Sequence, residues 1–230
     1  MCGRVVRTTP VEALAAAYAC PCPDFSLPPD YNVAPGQALP TVLADPLRSL
    51  VSARWGLRPV RTAYGRPGPL VFNARSETAA EKPSFRQAMR SRRGLVLVDG
   101  FYEWQGSGKQ ARPWFFRLHQ AGPFPVAGVW ETVPEENGGS GLAVAILTTS
   151  ANALLAEVHP RMPVILAPEL WARWLDPAAE MGEVLALLRP YPDEGMVGHE
   201  VGLAVNDPTC KGAECLDPPE QASLSFPVRR

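Results

Sequence analysis

Apolar and polar positions along this chain fall into short runs broken by turn residues, with no long stretch of a single period. Val11 to Ala19 is alanine-rich, carries no breaker and follows Thr8-Thr9-Pro10, a cap with proline near the first turn, so it predicts a helix. Pro21 to Pro29 predicts a proline-rich surface loop, and Thr41–Ala44 and Leu50–Trp55, with turn residues between them, predict a hairpin. Leu70–Asn73 and Leu95–Val98 are compact enough for buried strands. Trp114–Leu118, Val126–Trp130 and Ala143–Thr148 continue the β pattern. Ala151–Val158, Pro168–Trp174 and Met181–Leu188 predict helices and Val197–Val205 a late strand. The strands are too short and too closely spaced for a βαβ array. The expected fold is therefore α+β, a single domain with a curled, barrel-like, mainly antiparallel sheet flanked by short helices. Gly106-Ser107-Gly108 and Gly138-Gly139-Ser140-Gly141 lie between apolar strands and predict hairpin tips, not linkers. One domain is expected over 1–218, with a tail over 219–230.

Composition narrows the class. A chain of 230 residues with 46% hydrophobic side chains can bury a core without a disulfide or metal staple. No apolar run approaches the roughly 20 residues of a membrane span, and no basic segment leads into a hydrophobic one at the start, so no membrane partner and a cytoplasmic location are expected. Five cysteines (Cys2, Cys20, Cys22, Cys210 and Cys215) make an odd count that a reducing compartment would leave as thiols. The last four could bind zinc only if the fold united two distant pairs; no metal and no cofactor are expected. The net charge of −1 excludes a uniformly basic coat. Basic side chains are nonetheless concentrated in the middle third, at Arg75, Arg86, Arg90, Arg92, Arg93, Arg112 and Arg117, so a local basic groove on a near-neutral protein is one reading. A general arginine preference of a GC-rich genome is the other.

Cys2 carries the most reactive possibility. Removal of Met1, usual when the next side chain is small, leaves a cysteine with both a free thiol and a free α-amine. An α-amine has an unperturbed pKa of about 7.7–8.0, so part of it is neutral and nucleophilic near neutrality. Such an amine condenses with an aldehyde to an imine, on which the adjacent thiol can close a thiazolidine. The same pair could equally act as a thiol nucleophile with its own base. Three other segments put reactive groups at element ends. In Phe72-Asn73-Ala74-Arg75-Ser76-Glu77-Thr78 a strand gives way to a helix, with Asn73 either a cap or a functional amide and Arg75 at the helix start. In Gly100-Phe101-Tyr102-Glu103-Trp104, alternation sets Phe101 and Glu103 on one face and Tyr102 and Trp104 on the other. Glu103 is then a proton carrier with a raised pKa or the partner of an arginine. His159, between Val158 and Pro160, is a base or a helix C-cap, while His119 and His199 look like surface residues.

Taken in order, Met1-Cys2-Gly3-Arg4, Tyr31-Asn32-Val33-Ala34-Pro35, Arg54-Trp55-Gly56-Leu57, Asn73-Ala74-Arg75-Ser76-Glu77-Thr78, Gly100-Phe101-Tyr102-Glu103-Trp104 and His159-Pro160-Arg161-Met162-Pro163 closely resemble the SRAP family, the SOS-response-associated proteins that include abasic-site sensors. The resemblance runs from Cys2 to about Pro218. It implies a protein of the DNA damage response that binds single-stranded DNA and crosslinks covalently to the ring-opened aldehyde of an abasic site, as a monomer. It assigns Cys2 as the nucleophile, Asn73 as its orienter, and Glu103 and His159 as proton carriers. Arg4, Arg75, Arg86 and Arg161 are expected near phosphates and Trp55 and Trp104 near bases. A cysteine-type autopeptidase acting through Cys2, a glutaminase-like domain and a plain single-stranded DNA binder are the competing classes.

Overall fold

The computed structural model describes residues 2–44, 47–58, 68–134 and 138–219. The strands are β1 (Arg4–Arg7), β2 (Asp30–Val33), β3 (Ala38–Ala44), β4 (Arg48–Trp55), β5 (Asn73–Arg75), β6 (Arg93–Val98), β7 (Gly100–Gln105), β8 (Arg112–Leu118), β9 (Phe124–Pro134), β10 (Ser140–Ser150), β11 (Arg161–Pro163) and β12 (Met196–Glu200). The helices are α1 (Val11–Ala17), α2 (Ser76–Ala79), α3 (Arg86–Ser91), α4 (Ala153–Ala156), α5 (Trp171–Leu175) and α6 (Met181–Ala186). None is long and apolar enough to cross a membrane.

Strands β10, β4, β3, β6 and β9 follow one another in hydrogen-bonded order, and β9 pairs back onto β10, so these five close into a ring. This is the curled, barrel-like sheet that the short apolar runs predict. β6 and the central stretches of β3, β9 and β10 are buried on both faces. Leu95, Leu97, Ala127, Val129, Ala143 and Ala145 enter one apolar cluster with Leu14 of α1 and Trp174 of α5, while Val96, Val98, Val126, Val144 and Ile146 enter a second. That second cluster also takes Val5, Phe101 and Phe116 from a five-stranded sheet ordered β12-β8-β7-β1-β2. The two sheets thus share one core, and the chain start lies within it.

β10 is the spine. Beyond its pairing with β9, it hydrogen-bonds in parallel with β5 (Ile146 opposite Asn73, Thr148 opposite Arg75) and antiparallel with β11 (Thr148 opposite Pro163). Two segments far apart in sequence are thereby held on one strand. Gly100, at the start of β7, is required by close approach: a Cβ there would overlap the Phe115 ring and lie 2.9 Å from Phe116 O.

Several expected elements shift. The helix expected over Ala151–Val158 contracts to α4, capped by Asn152, whose side chain accepts the Leu155 N–H at 2.9 Å. Val197–Val205 divides into β12 and a 3-10 turn at Leu203–Asn206. The strand expected over Leu70–Asn73 begins only at Asn73, with Val71 in an isolated bridge to Leu57.

Candidate active site

Cys2 lies two residues before the start of β1 and is 1% exposed, within the second apolar cluster. β1 runs antiparallel to β7 with Arg4 opposite Tyr102 and Val5 opposite Phe101, which brings the chain start alongside Glu103. Burial pushes the Cys2 thiol far above the usual range, and the Glu103 carboxylate pushes the same way. The thiol is therefore held protonated.

Glu103 is 2% exposed at its side chain and sits on the face of β7 that Phe101 shares, whereas Tyr102 enters a third cluster on the opposite face with Val6, Phe115, Val201 and Cys215. The alternation read from sequence is the one observed. Desolvation pushes the Glu103 carboxyl up to about 7. Its Oε1 lies 3.7 Å from Nδ1 of His159. His159 follows α4, donates its own N–H to Leu155 O at 2.9 Å and so ends that turn. The backbone N–H of Arg161 donates to His159 Nδ1 at 3.1 Å. The Arg161 carbonyl lies at the same 3.1 Å from Nδ1, so the Arg161 peptide meets this ring nitrogen with its N–H and its C=O and holds it in either tautomer. Burial lowers the His159 pKa, which favours the neutral ring.

Asn73 comes from the other sheet. Its Nδ2 donates to the carbonyl of Cys2 at 2.6 Å, and its Oδ1 is buried with no hydrogen-bond partner among the described residues. The cap reading of Asn73 is overturned: the cap position of α2 belongs to Arg75, because the strand runs two residues further than the pattern implies. Cys2, Asn73, Glu103 and His159 are thus linked through the Asn73–Cys2 hydrogen bond, the Glu103–His159 approach and the electrostatic coupling of Cys2 to Glu103. They meet where β1, β5, β7 and the α4–β11 connection converge.

The expected nucleic-acid contacts divide. Arg75 and Arg86 are exposed, and Arg75 follows Asn73 by two positions, on the same face of β5. Arg4 donates through Nη1 to Asn32 Oδ1 at 2.6 Å and Val205 O at 2.8 Å, tying β2 to the closing turn. Arg161 forks onto Glu77, with Nη2 to Oε2 at 2.9 Å and Nη1 to Oε1, and also donates to Thr148 O at 2.5 Å. A phosphate would share both arginines with the fold. Trp104 is half-buried, with its indole N–H on Asn206 Oδ1 at 2.8 Å. Trp55 is corrected outright. It has no exposed surface, packs edge-on against Phe72 and donates to Phe72 O at 2.9 Å, so it is a core residue and not a base platform. Ala53 on the same strand and Leu57 just beyond it are buried as well.

The four distal cysteines are not brought together. Cys20 packs against the first cluster, while Cys210 and Cys215 meet at 3.2 Å between sulfurs in and beside the third. Among the described residues no group of three or more His, Cys, Asp or Glu could hold a metal ion. Glu77 is a residue to which the sequence alone gives no role. Its partner Arg161 is 84 positions away, so no local spacing signals the pair.

Comparison with known proteins gives a consistent pattern. Residues 1–208 match the family model described as SOS response associated peptidase (SRAP). The abasic site processing protein YoqW of Bacillus subtilis is 33% identical over 222 residues, covering 94% of this chain and 99% of that protein. The abasic site processing protein YedK of Escherichia coli is 29% identical over 226 residues, covering 95% and 100%. The abasic site processing protein HMCES of Gallus gallus is 30% identical, covering 84% of this chain and 67% of its own length. A crystal structure of a Bacteroides thetaiotaomicron protein superposes with a TM-score of 0.80 at 24% identity, over 94% of this chain and 99% of that one.

Proposed function

The chain belongs to the SOS response associated peptidase (SRAP) family, and from that membership we propose that it binds single-stranded DNA and forms a covalent thiazolidine crosslink between Cys2 and the ring-opened sugar of an abasic site. The observation that carries the proposal is the Asn73 Nδ2 to Cys2 O hydrogen bond of 2.6 Å, which fixes Cys2 beside the buried Glu103 and its neighbour, the partly exposed His159.

In this reaction, with Met1 removed, the Glu103 carboxyl delivers a proton to the ring oxygen of the closed sugar while the C1′ hydroxyl loses one, and the aldehyde opens. A carboxyl held near 7 is half protonated at neutral pH, so it can give a proton and take it back. The neutral α-amine of Cys2 adds to C1′, water leaves, and an imine forms. The Cys2 thiol then passes its proton to the Glu103–His159 pair, and its sulfur bonds to C1′ as the imine nitrogen is protonated. One water is lost overall. Burial of the thiol supports this order, because a protonated thiol cannot attack first. The buried Oδ1 of Asn73 is an acceptor available to the freed amine or the opened sugar. An abasic position has no base to unstack, so the cost of flipping largely falls away.

A cysteine peptidase would need Asn73 to orient His159. Asn73 instead bonds to Cys2, and Nδ1 of His159 is held by the Arg161 peptide. This favours the amine-led chemistry. The test is incubation with an abasic single-stranded oligonucleotide followed by denaturing electrophoresis with and without borohydride. Cys2→Ala should lose the stable band yet retain a borohydride-trapped imine. A stable band of undiminished yield in that variant would overturn the proposal.

A further inference from the structure

Arg161 stands at a crossing point. Its peptide N–H holds His159 Nδ1 at 3.1 Å, while its guanidinium, 17% exposed, reaches across Thr148 of β10 to the half-exposed carboxylate of Glu77 on α2. Nη2 is shared between Glu77 Oε2 at 2.9 Å, Thr148 O at 2.5 Å and Thr148 Oγ1 at 3.3 Å, and Nη1 takes the other carboxylate oxygen. A two-point fork fixes the plane of the guanidinium as a single contact cannot. Thr148 is also the residue at which β10 pairs with both β5 and β11, the strands adjoining Asn73 and His159. Glu77 lies four positions after Asn73, so the fork spans the two segments that supply half of the site.

We propose that Glu77 is a positioning residue for His159, acting through the Arg161 fork to set the imidazole at the distance from Glu103 that proton transfer requires. The inference rests on the crosslinking reading above for its consequence, though not for its geometry. Glu77 is the half-exposed end of the pair, so its carboxylate stabilises the fold little. Loss of Glu77 should therefore appear in the rate of reaction rather than in melting temperature. Removing a negative charge beside Arg75 and Arg161 should also leave affinity for single-stranded DNA unweakened, which separates positioning from simple DNA contact.

The experiment compares wild type with Glu77→Ala, the isosteric Glu77→Gln and the shorter Glu77→Asp. Three quantities are measured: single-turnover crosslinking at saturating abasic oligonucleotide, affinity for an intact oligonucleotide, and the His159 ring tautomer by nitrogen-detected NMR. His119 and His199 are the other histidines, so a His159 variant assigns the signal. Glu77→Ala should crosslink about tenfold more slowly, in line with the sensitivity of proton transfer to small misplacements. Glu77→Gln should fall between it and wild type, and Glu77→Asp should recover part of the loss. DNA affinity should be equal or higher, and the tautomer balance of His159 should differ from that of wild type. A wild-type rate with an unchanged tautomer in Glu77→Ala and Glu77→Gln would overturn the inference. A rate loss matched by an equal loss of DNA affinity would also overturn it. Should wild type itself fail to crosslink, the crosslinking reading falls, and the tautomer measurement still decides whether Glu77 positions His159.

Discussion

Glu103 is the residue whose environment makes the most distinctive demand. Its carboxyl is held up to about 7 by burial, against about 4.3 in an unfolded chain. Between those values the native state keeps a proton that the unfolded state has lost, so stability falls as pH rises through this window and the penalty is complete above it. Each tenfold change in proton affinity is worth roughly 1.4 kcal/mol, which bounds the penalty at about 4 kcal/mol. Glu103→Gln should therefore gain stability over wild type at pH 8 and show little gain at pH 4.5, as read by denaturant unfolding. An equal difference at both pH values would contradict desolvation as the cause. The proposed crosslinking requires the carboxyl protonated and the amine neutral, so its rate should be bell-shaped with a maximum between about 7 and 8. In Glu103→Gln the reaction should be slower and the alkaline fall of the bell should vanish.

Among the elements, β7 is the one on which the site's geometry rests. Gly100→Ala would drive a methyl into the Phe115 ring and displace the strand three residues before Glu103. A destabilisation of roughly 1–3 kcal/mol is expected, with crosslinking slowed by more than the folded fraction falls. The central strands of the barrel are legible from sequence because burial on both faces makes them short continuous apolar runs. The pairs β3–β4 and β9–β10 lie where the runs and glycines put them. β1, β2, β5 and β11 are not legible, since strands of three or four residues interrupted by arginine, asparagine or aspartate leave no periodicity to read. Alternation places Glu103 correctly on the face of β7 that Phe101 shares. Trp55 defeats the reading because a tryptophan next to glycine looks the same in sequence whether its strand is central or exposed. Glu77 and Arg161 are invisible as a pair, because only β10 brings them together.

For the molecule as a whole, a net charge of −1 means that the DNA affinity proposed above must come from local arginines and not from a general field. Arg75→Ala and Arg86→Ala, both at exposed positions, should each weaken single-stranded DNA binding. Each should also flatten the plot of log affinity against log salt by about 0.7 for every phosphate that the arginine neutralises. Fluorescence anisotropy over a salt series measures both, and an unchanged slope would remove that arginine from the binding path. Trp55→Ala should behave oppositely, destabilising the fold by about 3–5 kcal/mol through loss of a buried ring. Whether Cys2 closes a thiazolidine on the abasic sugar is decided by intact-mass spectrometry after incubation with an abasic single-stranded oligonucleotide. The expected product is one species at the mass of the protein without Met1 plus the oligonucleotide less one water, stable without borohydride and absent in Cys2→Ala. A protein that retains Met1 and forms no adduct, or an adduct that persists in Cys2→Ala, would contradict it.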